Sequence, residues 1–166
     1  MIILRKRCSP GAARLLAVAA LALAVPAQAQ FEANGVKLGD SERVVSERFP
    51  SAHCQPLQWE SRAADRRCDD SRAKIAGLEL RITVYLKDDA VQALDLRFRS
   101  ADAPRFAELL TRQFGRAATE KHGEKTRTLQ WRNADERALL TTEAGERRAT
   151  LLVWRGDFND EIYKVR

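Results

Sequence analysis

The chain has 166 residues, 31% of them charged, and a formal net charge of +6. Most of that excess lies in the first 29 residues, which hold four of the 29 basic side chains and no acid; the other 137 carry 25 basic against 23 acidic side chains, a net of +2. The basic balance of the whole chain is therefore no argument for nucleic-acid binding, and residues 30–166 suffice for one domain with a real core.

The N-terminus has the three parts of a secretory signal peptide. Arg5, Lys6, Arg7 and Arg14 are its positive region, Leu15 to Val25 its apolar run of 11 residues, and Ala27-Gln28-Ala29, behind Pro26, its small-x-small cleavage site. A transmembrane helix needs about 20 apolar residues. The pattern predicts a leader over 1–29, cleavage near Ala29–Gln30, and one periplasmic (or secreted) domain over 30–166 with no integral membrane segment. Cys8 precedes the apolar run, so its position is not that of a lipoprotein cysteine. Cys54 and Cys68 remain, without CxxC spacing, and such a pair in an exported chain predicts a structural disulfide.

Residues 30–37 read as a lead-in. Asp40 or Ser41 caps a first helix with Val45 and Phe49 one turn apart, and Pro50 ends it. His53 to Trp59 is a short extended piece entering a polar loop, Gln55 to Arg67. Cys68 to Ser71 turns the chain, and Gly77 marks a bend. Leu78, Leu80, Ile82, Val84 and Leu86 then alternate with Glu79, Arg81, Thr83, Tyr85 and Lys87, and Leu94, Leu96 and Phe98 alternate with Asp95, Arg97 and Arg99. That is the period of two of half-buried strands. A two-residue loop at Asp88-Asp89 would mix the faces. A three-residue loop, Lys87 to Asp89, keeps them apart, pairs Ile82 with Leu94, and sets Arg81 against Asp95 and Glu79 against Arg97.

Asp102 and Pro104 start a second helix whose Phe106, Leu109, Leu110 and Phe114 form one apolar stripe, ended by Gly115. Residues 116–125 read as a polar connection. Three strands follow near 126–132, 137–143 and 147–155. The last two are apolar on both faces, which implies cover on both sides or an exposed patch. In the tail from Gly156, Phe158 and Ile162 are the candidates for packing. Leu57-Gln-Trp59 recurs as Leu129-Gln-Trp131, and each half runs helix, strand, hairpin, which suggests half-repeats over 36–100 and 101–155.

No constellation with catalytic logic emerges. Gly39-Asp40-Ser41 invites comparison with an esterase nucleophile, but His53 and His122 are the only histidines and neither stands where such a base belongs. Asp69-Asp70 and Asp88-Asp89 lack the loop pattern of a calcium site. Nothing predicts a metal or a cofactor. What remains is surface. Trp59, Tyr85, Arg97 and Trp154 are the residue types that dominate binding hot spots, and they are the expected partner contacts.

Gly35-Val36-Lys37-Leu38-Gly39-Asp40-Ser41, followed by Val45 and Phe49, and the analogous helix Phe106 to Gly115 before three strands, resemble the helix-plus-β-meander repeat of the β-lactamase-inhibitor-like fold and of the small lipoproteins of outer-membrane assembly. The resemblance implies a binding module without catalytic activity. The expectation is thus an α+β domain. An antiparallel sheet of about six strands carries two helices on one face, with the other face partly open to solvent, and a tandem α-β-β-β repeat is compatible with it. The expected role is a non-catalytic periplasmic binding or accessory protein that recognises another envelope protein. The alternatives are a small envelope hydrolase using Ser41 or His53 and a structural envelope protein without a ligand.

Overall fold

The computed structural model describes residues 30–164, so the leader assigned to 1–29 lies outside the described residues. The chain opens with a hairpin of β1 (Glu32–Ala33) and β2 (Val36–Lys37) around Asn34-Gly35. Both turn residues have positive φ, 55° and 85°, and Asn-Gly is the dipeptide that adopts this most readily. Helix α1 (Glu42–Arg48) follows, then strands β3 (His53–Pro56), β4 (Arg66–Ile75), β5 (Leu78–Lys87) and β6 (Ala90–Arg99). After a 3-10 turn come α2 (Ala103–Phe114), β7 (Thr119–His122), β8 (Thr126–Asn133), β9 (Glu136–Glu143), β10 (Arg148–Arg155) and the short helix α3 (Phe158–Glu161).

The fold is α+β, and its main sheet has eight antiparallel strands in the order β3-β4-β5-β6-β10-β9-β8-β7, two more than expected. Each half is a helix followed by a four-stranded meander, and the halves meet at the β6–β10 pair. The added strands are β4 and β7. Strand β4 has few apolar side chains, and its alternation breaks where the register jumps between Asp70 and Ala73. Asp70, 5% exposed, stabilises that bulge by accepting a hydrogen bond from the Arg72 N–H at 2.8 Å. Strand β7 is exposed throughout and leaves no core signature. The Leu-Gln-Trp echo does not survive: Trp59 lies between β3 and β4, whereas Trp131 lies within β8 and is buried.

Both larger helices pack on one sheet face. Val45 of the first, Phe49 just past its end, and Phe106 and Leu110 of the second share a core with Ile82, Val84, Leu94, Leu96, Leu151 and Val153. The Phe98 and Phe106 rings lie 4.1 Å apart. Burying an apolar side chain of this size stabilises by about 1.5–3 kcal/mol. Gly115, at φ 79°, ends α2 in a conformation that disfavours other residues.

The hairpin register differs from the expected one. The turn is the two-residue Asp88-Asp89, with φ of 50° and 60°, and Lys87 pairs with Ala90. An irregularity opposite Tyr85–Leu86 leaves Gln92 without a partner, and this one-residue bulge restores the parity that a two-residue loop alone would lose. Ile82 faces Leu96 and Arg81 faces Arg97. Beyond the bulge the displacement from the expected pairs is two residues, so those side chains keep their faces and only their partners change; next to the turn it is one, and Val91, opposite Leu86, turns into the core. The expected Arg81–Asp95 and Glu79–Arg97 pairs do not form.

Candidate functional site

The face of the sheet opposite α1 and α2 is the outer face, and it is covered at one end. Ala64, Tyr85, Ala93, Trp154, Phe158 and Ile162 make a second apolar cluster, with Leu57, Trp59, Ala63, Leu139 and Leu152 at its margin. The cover comes from the chain itself. Helix α3 lays Phe158 against Tyr85, ring centroids 5.2 Å apart. The connection between β3 and β4 grips the tail from the side: the Trp59 indole donates to the Ile162 carbonyl at 2.8 Å, and the Ser61 hydroxyl donates to the Glu161 carbonyl at 3.2 Å. Here lies the reason for the doubly apolar β9 and β10.

The four expected contacts thus share one face, but they are not equally available. Tyr85 and Trp154 are 6% and 3% exposed, and they meet the chain's own tail rather than an open surface. Burial, the largest cause, pushes the Tyr85 phenol up to about 12. Trp59 is half-buried and stacks on Tyr163 at 6.1 Å. Only Arg97 stands in the open, paired with Asp95 at 3.2 Å. Asp95 is itself sunk into the surface, and burial raises its carboxyl above the ordinary range, offset in part by Arg97. The disulfide is formed: Cys54 and Cys68 are cross-strand partners in β3 and β4 and tie the root of the Trp59-bearing connection to the sheet.

Arg97 lines two recesses on this face. One, of about 250 Å³, is edged by Tyr85, Asp95, Thr141, Thr150 and Tyr163 beside the tail. The other, of about 190 Å³, is edged by Ser71, Glu79, Arg81, Arg99 and Arg148. Tyr163 is 71% exposed, a large hydrophobic ring standing in solvent next to the first recess. Sequence reasoning placed Arg81, Arg97 and Arg99 on the outer face but missed Tyr163 and Arg148. Arg148 joins them because β10 pairs with β6, a contact between residues some fifty positions apart that no local pattern announces.

The residues considered for chemistry sit elsewhere. Ser41 is the N-cap residue of α1, yet its hydroxyl makes no capping bond. His53 is exposed on the edge strand β3, and His122 is exposed on β7, 3.0 Å from Glu120. Asp69 accepts a hydrogen bond from Thr83 at 2.7 Å and pairs with Arg67, while Asp88 and Asp89 form the turn. Among the described residues no group of three potential ligands is placed to hold a metal ion, and no helix is long and apolar enough to cross a membrane. The chain matches no family model, no curated protein and no solved structure.

Proposed function

We propose that this chain is a non-catalytic accessory protein of the periplasm that recognises another envelope protein through the outer sheet face. The observation that carries the reading is the recess between the tail and β10, where an exposed tyrosine and an exposed arginine, Tyr163 and Arg97, flank Thr141 and Thr150. Tyr and Arg are enriched among residues that carry binding energy, and a concavity gives such anchors a place to bury. Tyr163 is held by its stacking on Trp59, so a partner would meet a ring already positioned. Of the expected contacts, Arg97 stays in the binding surface. Trp59 supports it from beneath, and Tyr85 and Trp154 act through the tail they hold.

Export and cleavage near Ala29–Gln30 belong to the same proposal. They are supported by the leader composition and by the Cys54–Cys68 disulfide, a bond that persists in oxidising compartments. The helix-plus-meander resemblance and the tandem origin of segments 36–100 and 101–155 are supported by the symmetric strand order about β6–β10. The hydrolase alternative has less support, because among the described residues Ser41 has no hydrogen bond to either histidine. The test is site-specific photo-crosslinking in intact cells, with the reactive group at position 163 and, as control, at Arg105 on α2. A discrete adduct at 163 that Arg97→Glu abolishes is expected; the same adduct pattern from both positions would sink the proposal.

A further inference from the structure

We propose that the arginine end of the outer face is a binding site for a phosphate-type oxyanion, a phosphomonoester or pyrophosphate group held among Arg81, Arg97, Arg99 and Arg148. This site does not depend on the protein-recognition reading.

The register puts like charges directly opposite one another. Arg81 of β5 faces Arg97 of β6, and Arg148 of β10 faces Arg99, two positions further along β6. Like charges opposed across an antiparallel pair destabilise it. Here two such pairs share one strand and line one recess. From strand spacing and rise, the four Cα atoms fall within roughly 10 Å across and 7 Å along the sheet. Guanidinium groups on side chains of this length can converge over such an area.

Three acids, Asp95, Asp102 and Glu79, stand against the four arginines and leave a net positive charge. Asp95 pairs with Arg97 at 3.2 Å and Asp102 with Arg99 at 3.1 Å. Both carboxylates are sunk, with side chains 14% exposed, beneath arginines that remain 52% and 76% exposed. Arg81 and Arg148 have no ion pair among the described residues. Glu79, which also edges the recess, stands opposite Lys74 on the neighbouring strand.

The arrangement suits a phosphate better than a carboxylate. Each guanidinium presents a planar fork that takes two oxygens at once. A carboxylate has only two oxygens, whereas a phosphomonoester has three free ones and can be shared between forks from different strands. The recess, about 190 Å³ with Ser71 at its edge, has the size of a small anion rather than of a folded partner. A third like-charge pair, Arg132 opposite Arg137 on β8 and β9, lines neither recess and serves as a control.

Titration of the purified protein with pyrophosphate at fixed ionic strength, read by calorimetry and by Tm, tests the site. Saturable binding is expected, with a Tm that rises as ligand is added, because the anion binds the folded state. Arg81→Gln/Arg148→Gln should weaken Kd by about tenfold or more while melting no lower than the parent, and Arg132→Gln should bind as the parent does. Absence of saturable binding, equal binding by the double variant, or a Tm rise that chloride reproduces would each overturn the proposal. Flotation with phosphatidylcholine vesicles containing phosphatidic acid distinguishes the source. Arg81- and Arg148-dependent flotation assigns the phosphate to a lipid headgroup, and pyrophosphate binding without flotation assigns it to a soluble ligand. Flotation without pyrophosphate binding would overturn the recess as the site.

Discussion

Asp89, in the β5–β6 turn, accepts a hydrogen bond at 3.0 Å from the backbone N–H of Glu42, which lies 47 residues earlier in the chain at the start of α1. A helix leaves its first N–H groups without internal partners, and a carboxylate there also suits the helix dipole. The usual donor of such a cap is the residue just before the helix. Ser41 occupies that place but does not cap, and the hairpin tip supplies the group instead. The same corner is pinned by backbone bonds from Gly39 to Val91 and from Val91 to Asp40, each 2.8 Å. Glu42 also makes a bidentate pair with Arg66, at 2.6 and 2.9 Å.

It follows that Asp89 acts on the helix as well as on its own turn. Asp89→Ala should destabilise by about 0.5–2 kcal/mol through loss of the cap, and by somewhat more because alanine tolerates a φ of 60° poorly. Asp89→Asn keeps both the acceptor and the backbone preference and should cost little. Ser41→Ala should fall within the error of the measurement. Urea unfolding of the three variants checks the order; a Ser41→Ala loss equal to that of Asp89→Ala would show that the cap is assigned to the wrong residue.

The faces of the β5–β6 hairpin were legible in the sequence because burial imposes a period of two on Leu80, Ile82, Val84, Leu94 and Leu96. Its register was not, because the bulge at Gln92 adds a residue without changing the pattern on either side. The two-residue turn and this bulge together decide that Arg81 faces Arg97 rather than Asp95, and so that this face carries a basic recess rather than neutralised pairs. Strand β4 was illegible for a related reason: Cys68, Ala73 and Ile75 are its apolar side chains, and the bulge at Asp70 puts them out of step. Tyr85 and Trp154 looked like surface residues because what covers them, Phe158 and Ile162, arrives from the end of the chain.

The tail gives Tyr85 a pH signature. Its folded-state pKa of about 12 lies above the ordinary 10.0, so between those values an unfolded chain loses the phenolic proton while the folded one keeps it. The associated stability is therefore fully present below pH 10 and is lost as pH rises from 10 to 12. Phe158→Ala should uncover the phenol, lower its pKa toward 10 and flatten this part of the stability curve. Absorbance titration near the tyrosinate band, with Tyr163→Phe as background to isolate Tyr85, follows the shift; an unchanged titration after Phe158→Ala would show that the tail does not bury this ring.

The Cys54–Cys68 bond closes a loop that contains the Trp59 and Ser61 contacts to the tail. By the chain-entropy argument a loop of about 15 residues gives roughly 3 kcal/mol. The paired change Cys54→Ser/Cys68→Ser should lose about that much, and because the connection then holds the tail less firmly, tryptophan emission should shift red before global unfolding. Thiol labelling of native protein comprising residues 30–166 should find no free cysteine, and stoichiometric labelling would contradict the bond directly.

The opposed arginines make a prediction that needs no ligand. If Arg81 and Arg97 repel across the β5–β6 ladder, Arg81→Glu should replace a repulsive pair with an attractive one and stabilise by about 0.2–1 kcal/mol at low ionic strength. Arg81→Thr, which removes the repulsion and suits a strand, should fall between the parent and the glutamate variant. At 1 M salt the Debye length shrinks to about 3 Å, and the charge-dependent gap between glutamate and threonine should close. Chemical unfolding in urea, which is uncharged, at low and high salt separates the two contributions. A gap that persists at high salt would mean that packing rather than charge sets the effect, and the case for stored repulsion at this end of the sheet would fall with it.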